Sequence, residues 1–201
     1  PEAVFNCVAL VGWNPGGEKE IFTKEELIDL FELDRVQKGG ALFSEEKLNW
    51  FNREHMRQLP YEEQEERIAA FLPERIRELS NFSVDRLHML VPIIMERIER
   101  FADVRAMADS GELDFCFSTP EIDIEKINFK GASQAETRAH LLEAKQLLGE
   151  ISQADWDLPM IKDTLMRYAD SLPKRGAVLH PTRYALSGRE QSPDPFTISF
   201  I

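Results

Sequence analysis

Apolar residues recur every three or four positions along almost the whole chain, and this spacing limits what it can fold into. Between residues 83 and 101, six large apolar side chains fall on one face of a helix. They are Leu87, Leu90, Val91, Ile94, Ile98 and Phe101. Such a stripe buries one side of an α-helix, whereas paired strands with alternating apolar residues are missing. The sequence therefore predicts an all-α protein in two or three packed helical units.

Helix starts can be located from side chains that cap them. Thr23 and Ser133 are each followed three residues later by glutamate, the spacing of a capping box. Ser44 precedes EEKLNWFNREHM in the same way and places Leu48 and Phe51 on one side of that helix. Three helices are thus expected to begin just after these residues.

Three other segments carry more specific expectations. The first helix should bury Val4, Cys7, Val8 and Val11 and end near Gly12. Pro92 lies inside the long apolar stripe and should kink that helix or divide it. Residues 112–129 are the least helical part, and because a single strand there would lack a partner, we predict a loop.

The composition is that of a soluble globular protein, with 43% hydrophobic and 30% charged residues among 201. No apolar run approaches the roughly 20 residues that span a bilayer, and no secretory leader is visible. The two cysteines are expected to be reduced and buried, and the four histidines are too scattered for a metal site. Because the chain starts without Met and ends in an apolar run, we expect it to be a piece of a longer protein.

The charge is unevenly distributed. The chain carries −12 overall, yet residues 174–191 hold Lys174, Arg175, Arg183 and Arg189 against Glu190, a local charge of +3 that leaves −15 elsewhere. Screening limits charge effects to about 10 Å, so this segment could bind a phosphate backbone despite the acidic total.

The sequence contains no motif that is typical of a catalytic nucleophile, a phosphate-binding loop or a metalloprotease, so no catalytic residue is assigned.

The stretch ALSGREQSPDPF, directly after HPTRY, allows two interpretations. Pro181 and Gly188 could simply end a helix while Phe196 fills the core. Alternatively, Arg183, Tyr184, Arg189 and Phe196 could present arginines and flat side chains to unpaired RNA bases.

Three segments together resemble bacterial glutamyl-tRNA synthetase, a class I aminoacyl-tRNA synthetase. They are PEAVFNCVALVGWNPGGEKEIFTKEELIDLF, GALFSEEKLNWFNREHMR and HPTRYALSGREQSPDPF. The resemblance implies that residues 1–60 form the end of a helical stem-contact domain. It also implies that residues 61–201 form a bundle-like anticodon-binding domain. This domain would have two subunits, of about 61–115 and 116–201, and its last helix would be truncated.

The resemblance also implies individual roles. Arg97 matches a position that contacts the third anticodon base, where cytosine offers acceptors to arginine and guanine presents donors. Arg183 matches an arginine near the first base. The loop that packs on the first two bases corresponds to Ser192, Pro193, Pro195 and Phe196. Lys174, Arg175 and Arg189 are candidate RNA-backbone contacts. Thr182 stands where the family often has leucine, and Asp194 where glycine is common.

The function implied is recognition of the tRNA(Glu) anticodon by part of a cytoplasmic ligase that uses ATP and Mg²⁺. The fragment itself should be inactive, need no cofactor, and act with an upstream catalytic domain rather than with DNA or a membrane. Two alternatives are a helical protein-interaction adapter without RNA binding and an enzyme that charges both glutamate and glutamine tRNAs. Arg97 argues against the second.

Overall fold

The computed structural model describes residues 1–39 and 42–201, and these residues form twelve α-helices and no extended strand. Gly40 and Ala41, the first two residues of the second family-like segment, lie outside the described residues. The helices are α1 (Glu2–Gly12), α2 (Lys24–Leu30), α3 (Glu45–Arg57), α4 (Tyr61–Phe71), α5 (Glu74–Arg77), α6 (Val84–Arg97), α7 (Asp103–Asp109), α8 (Asp114–Phe117), α9 (Gln134–Gly149), α10 (Leu158–Asp170), α11 (Gly176–Ser187) and α12 (Pro195–Phe200). The predicted all-α class is confirmed.

The predicted helix starts are also confirmed. Thr23 and Ser133 each accept a hydrogen bond from the backbone N–H three residues on, and the glutamates at those positions bond back to the cap. Ser44 accepts from the N–H of Lys47 at the start of α3. These side chains satisfy N–H groups that the first helical turn cannot.

Two compact units make up the chain, and α6 contributes residues to both. The first unit comprises residues 1–72 and 91–106, and the second comprises residues 73–90 and 107–201. The six stripe residues of the α6 region are all buried. The helix runs through Pro92 without being divided, and Pro92 itself is exposed.

In the first unit, α1 packs against α3, with Ala3, Cys7 and Phe51 at the centre of their contact. The predicted face of α1 is only partly buried, because Cys7 is buried but Val4 and Val8 are 51% and 58% exposed. A polar residue, Asn6, takes the inward position instead and is fully buried.

Asn6 is buried because its amide holds the loop before α2. Its Nδ2 donates to the carbonyl of Glu20, and its Oδ1 accepts from the N–H of Phe22 at 2.8 Å. Nε2 of His55 lies 3.0 Å from the same oxygen, and burial lowers the pKa of His55. A buried amide with its hydrogen bonds satisfied is stable in a core, but hydrophobic periodicity cannot reveal it.

In the second unit, α9, α10, α11 and α12 pack around one apolar core. Its buried members are Ala144, Ile161, Leu165, Ala169, Val178 and Phe196. The region 112–129 is irregular as predicted, except for the single turn of α8.

This irregular segment lies along α11. A Cβ built on Gly176 would come 2.4 Å from the ring of Phe129, and one on Gly188 would come 2.5 Å from the carbonyl oxygen of Glu121. Just past the last residue of α11, the contact of Gly188 is with backbone and leaves room for glycine only, whereas a larger residue at Gly176 would require the Phe129 ring to move. The segment therefore packs against both ends of α11.

Candidate nucleic-acid interface

The α11–α12 loop, residues 188–194, begins at a left-handed glycine. Gly188 has φ +65° and donates its N–H to the carbonyl of Tyr184 at 2.7 Å. Glycine adopts this conformation at little cost, which is why it commonly ends helices. The hydroxyl of Ser187 accepts from the N–H of Arg189 at 3.2 Å and fixes the first step of the loop.

Arg183 fastens the middle of the loop. Its Nη1 donates to Oγ of Ser192 at 2.8 Å, and its Nη2 donates to the carbonyl of Glu190 at 2.8 Å. A longer bond of 3.4 Å runs from Nη1 to the carbonyl of Arg189. The planar guanidinium thus satisfies acceptors along the loop with one rigid group.

Asp194 fastens the end of the loop. Its Oδ1 accepts from the N–H groups of Phe196 and Thr197, both at 2.9 Å, and its Oδ2 accepts from the Thr197 hydroxyl at 2.8 Å. Asp194 is therefore the N-cap of α12, with Pro195 in the first turn, where proline is favoured. The departure from the family-typical glycine has a structural reason.

The predicted loop contacts differ in how accessible they are. Ser192 and Pro193 are half-buried on the loop, whereas Pro195 and Phe196 are buried in α12. Phe196 is 9% exposed and belongs to the core around Ile161 and Leu165. The first sequence interpretation is confirmed for Gly188, which ends α11, and for Phe196, which fills the core, but Pro181 lies inside α11 and does not end it. Tyr184 is buried like Phe196, and the presentation of side chains of this region to RNA stays a prediction.

The predicted basic cluster is divided by α11. Arg189 lies on the loop and donates to the carbonyl of Ser110 at 3.3 Å. Lys174 and Arg175 precede the other end of the helix, and the Arg175 guanidinium pairs with Asp170. A 12-residue helix is about 18 Å long, so the two groups are not brought together.

Arg97 lies in the first unit, where it is the exposed last residue of α6. Glu99, two residues further on, binds Nη2 of Arg53 at 2.6 Å.

One functional candidate has no signal in the sequence. Lys126, in the irregular segment, lies beside the α11–α12 loop with its Nζ 3.4 Å from a carboxylate oxygen of Glu190. The two residues are 64 positions apart, and only the packing of the segment along α11 brings them together.

Within residues 1–39 and 42–201, no group of three or more His, Cys, Asp or Glu side chains is arranged to hold a metal ion. Among the helices of these same ranges, none combines the length and the hydropathy needed to cross a bilayer.

The α11–α12 loop is thus held at its start by Gly188, in its middle by Arg183 and at its end by Asp194, and it is followed by the buried Phe196. The family model described as "Anticodon binding domain" matches residues 46–201. The chain belongs to this family. A second model, described as "tRNA synthetases class I (E and Q), catalytic domain", matches residues 1–50.

Individual relatives agree with this membership. The chain is 34% identical over 194 residues to the glutamate–tRNA ligase of Clostridium acetobutylicum, a match that covers 96% of this chain and 38% of the relative. It is also 34% identical to the enzyme of Clostridium kluyveri over 195 residues, with the same coverage of both chains. The chain thus spans less than two fifths of the length of these curated relatives.

A solved structure gives the same result. The glutamate tRNA ligase of Elizabethkingia meningosepticum, determined in complex with its amino acid, superposes with a TM-score of 0.75 at 28% identity. The superposition covers 98% of this chain and 37% of that one. The all-α arrangement is therefore one that a known ligase contains.

Proposed function

We propose that this chain recognises the anticodon loop of tRNA(Glu) as part of a glutamate–tRNA ligase. The observation that carries the proposal is that Arg183 holds the α11–α12 loop in one conformation, in a chain that belongs to the anticodon-binding family. A loop that is ordered before binding loses little conformational freedom when RNA binds, and this favours affinity. Unpaired bases of an RNA loop are the usual targets of sequence-specific RNA recognition.

We assign the parts of the chain as the resemblance implies. Residues 1–60 would contact the tRNA stem, and residues 61–201 would bind the anticodon. Ser192 and Pro193 are accessible enough to touch bases directly. Because Pro195 and Phe196 are buried, we expect them to support the loop from below and not to touch the bases. Arg183 would act indirectly, by holding the loop in position. Arg189, Lys174 and Arg175 would meet phosphates at the two ends of α11.

We assign Arg97 to the third anticodon base, where it would favour cytosine over guanine. A good bidentate contact between a side chain and a base favours the correct base over a wrong one by about 1–3 kcal/mol. An enzyme with this arginine would prefer glutamate tRNA to glutamine tRNA. ATP and Mg²⁺ would be bound by a catalytic domain outside this chain, in a cytoplasmic enzyme.

Binding of an anticodon stem-loop RNA tests the proposal. Fluorescence anisotropy of the 201-residue chain would compare a stem-loop carrying the glutamate anticodon with one that has the same stem and a scrambled loop. We expect tighter binding to the first. With about three phosphate contacts on single-stranded RNA, affinity should fall by about 10-fold or more between about 50 and 200 mM salt.

A protein-interaction adapter predicts a different result. It would bind neither RNA, or bind both equally, and either outcome would overturn the proposed function.

A further inference from the structure

A polar pocket of about 540 Å³ opens beside the α11–α12 loop. It is lined by Lys126, Tyr184, Gly188, Arg189, Glu190 and Gln191. All six residues belong to the second unit. The volume lies in the range of small-ligand sites.

The walls of the pocket are held by contacts that do not involve its charged groups. The carbonyl of Lys126 lies 3.3 Å from Nε2 of His180 on α11, which fixes the backbone on one side. On the other side, Gly188 lies against Glu121, and Arg183 binds the carbonyl of Glu190. The backbones of Lys126 and Glu190 therefore make contacts of their own, and their side chains meet each other beside the pocket.

The ion pair across the pocket mouth is weak. The side chains of Lys126 and Glu190 are 53% and 69% exposed, and their charged atoms are 3.4 Å apart. Exposed pairs of this kind contribute little to stability because water screens them. A phosphate oxygen can therefore replace the Glu190 carboxylate at the Lys126 ammonium at small cost.

We propose that Lys126 binds a backbone phosphate of the anticodon loop, and that Glu190 holds the ammonium in place until RNA displaces it. This inference rests on the proposed function and names a contact within it. Arg189 also lines the pocket, but its guanidinium is bonded to the Ser110 carbonyl, so the contact is assigned to Lys126 alone.

Substitution of Lys126 tests the contact. Loss of one phosphate contact on a single strand removes about 0.7 from the slope of log affinity against log salt. At about 0.1 M salt this corresponds to about 5-fold weaker binding of the glutamate stem-loop by Lys126→Ala. Lys126→Arg should keep most of the affinity, because it keeps the charge. The matched control is Lys162→Ala, which removes an exposed lysine of α10 that does not line the pocket.

Substitution of Glu190 tests whether RNA displaces its carboxylate from the Lys126 ammonium. Glu190→Gln should strengthen stem-loop binding by about 2-fold, the scale of an exposed ion pair. In the Lys126→Ala background the same change should have a smaller effect. Equal gains in both backgrounds would mean that Glu190 only repels RNA in general, and would overturn the displacement.

The outcomes separate this inference from the proposed function. If wild type binds the glutamate stem-loop selectively but Lys126→Ala binds as tightly and with the same salt slope, the Lys126 contact is wrong and the function stands. If wild type itself does not discriminate the glutamate loop from a scrambled one, the proposed function fails first.

Discussion

Nη1 of Arg183 donates a hydrogen bond of 2.8 Å to the hydroxyl of Ser192, nine residues further along the chain. Together with the bond to the Glu190 carbonyl, it fixes the middle of the loop, whose start is set by Gly188 and whose end is set by Asp194. Arg183 therefore positions the α11–α12 loop, and its approach to the first anticodon base stays a prediction.

Arg183→Ala should weaken stem-loop binding by about 10-fold or more, since a loosened loop must be ordered again when RNA binds. The control is Arg67→Ala, which also removes one positive charge. Arg67 lies on the acid-rich helix α4 and is paired with Glu63 at 2.5 Å. Its loss should change affinity less than 2-fold on the scale of a surface charge pair. Equal losses in a binding titration would indicate a diffuse electrostatic contact instead.

Asp194→Ala should lower the free energy of unfolding by about 1 kcal/mol, the usual cost of losing an N-cap. Asp194→Ser should restore most of it, because serine can accept the same N–H groups. Urea unfolding of both variants measures this. If serine restores stability but not stem-loop affinity, the carboxylate contacts RNA itself and the cap is only part of its role.

Thr182→Val should leave stability unchanged or raise it by about 1 kcal/mol. The Thr182 hydroxyl is buried in α11 without a hydrogen-bond partner, and an unsatisfied buried group of this kind is destabilising. Thr197→Val is the matched control, because the Thr197 hydroxyl donates to Asp194. In thermal unfolding, Thr197→Val should therefore be less stable than wild type and Thr182→Val at least as stable. A destabilised Thr182→Val would contradict the prediction and show that the Thr182 hydroxyl has a partner.

Arg97→Gln, in a full-length ligase carrying this chain, should narrow the preference for glutamate over glutamine tRNA by about 30-fold, the middle of the range for one bidentate base contact. Aminoacylation efficiency with each tRNA measures the ratio. Arg100→Gln is the control, since Arg100 is exposed in the same unit and pairs with Asp103 at 3.2 Å. Unchanged selectivity in Arg97→Gln would remove its assigned role.

Local sequence signals predicted the parts of the fold that depend on neighbouring residues. The capping boxes at Thr23 and Ser133 follow from side chain to backbone geometry within one turn, and the buried α6 stripe follows from helical spacing. The inward face of α1 could not be predicted, because Asn6 is buried through bonds to a loop 14 to 16 residues away.

The candidate site shows the same division. The sequence predicted a constrained loop after HPTRY from its prolines and glycine, but the cap at Asp194 required knowing that a helix begins at Pro195. The Lys126–Glu190 pair could not be predicted, because it depends on a long irregular segment packing along α11.

Photo-crosslinking tests the central claim most directly, because it shows where the anticodon loop lies on the chain. A glutamate stem-loop with 4-thiouridine at the middle anticodon position would be irradiated with the 201-residue chain, and the crosslinked peptides identified by mass spectrometry. We predict crosslinks within residues 183–196 that excess unlabelled stem-loop abolishes and a scrambled-loop RNA does not. Crosslinks confined to residues 1–72, or competed equally by both RNAs, would contradict anticodon recognition by the α11–α12 loop.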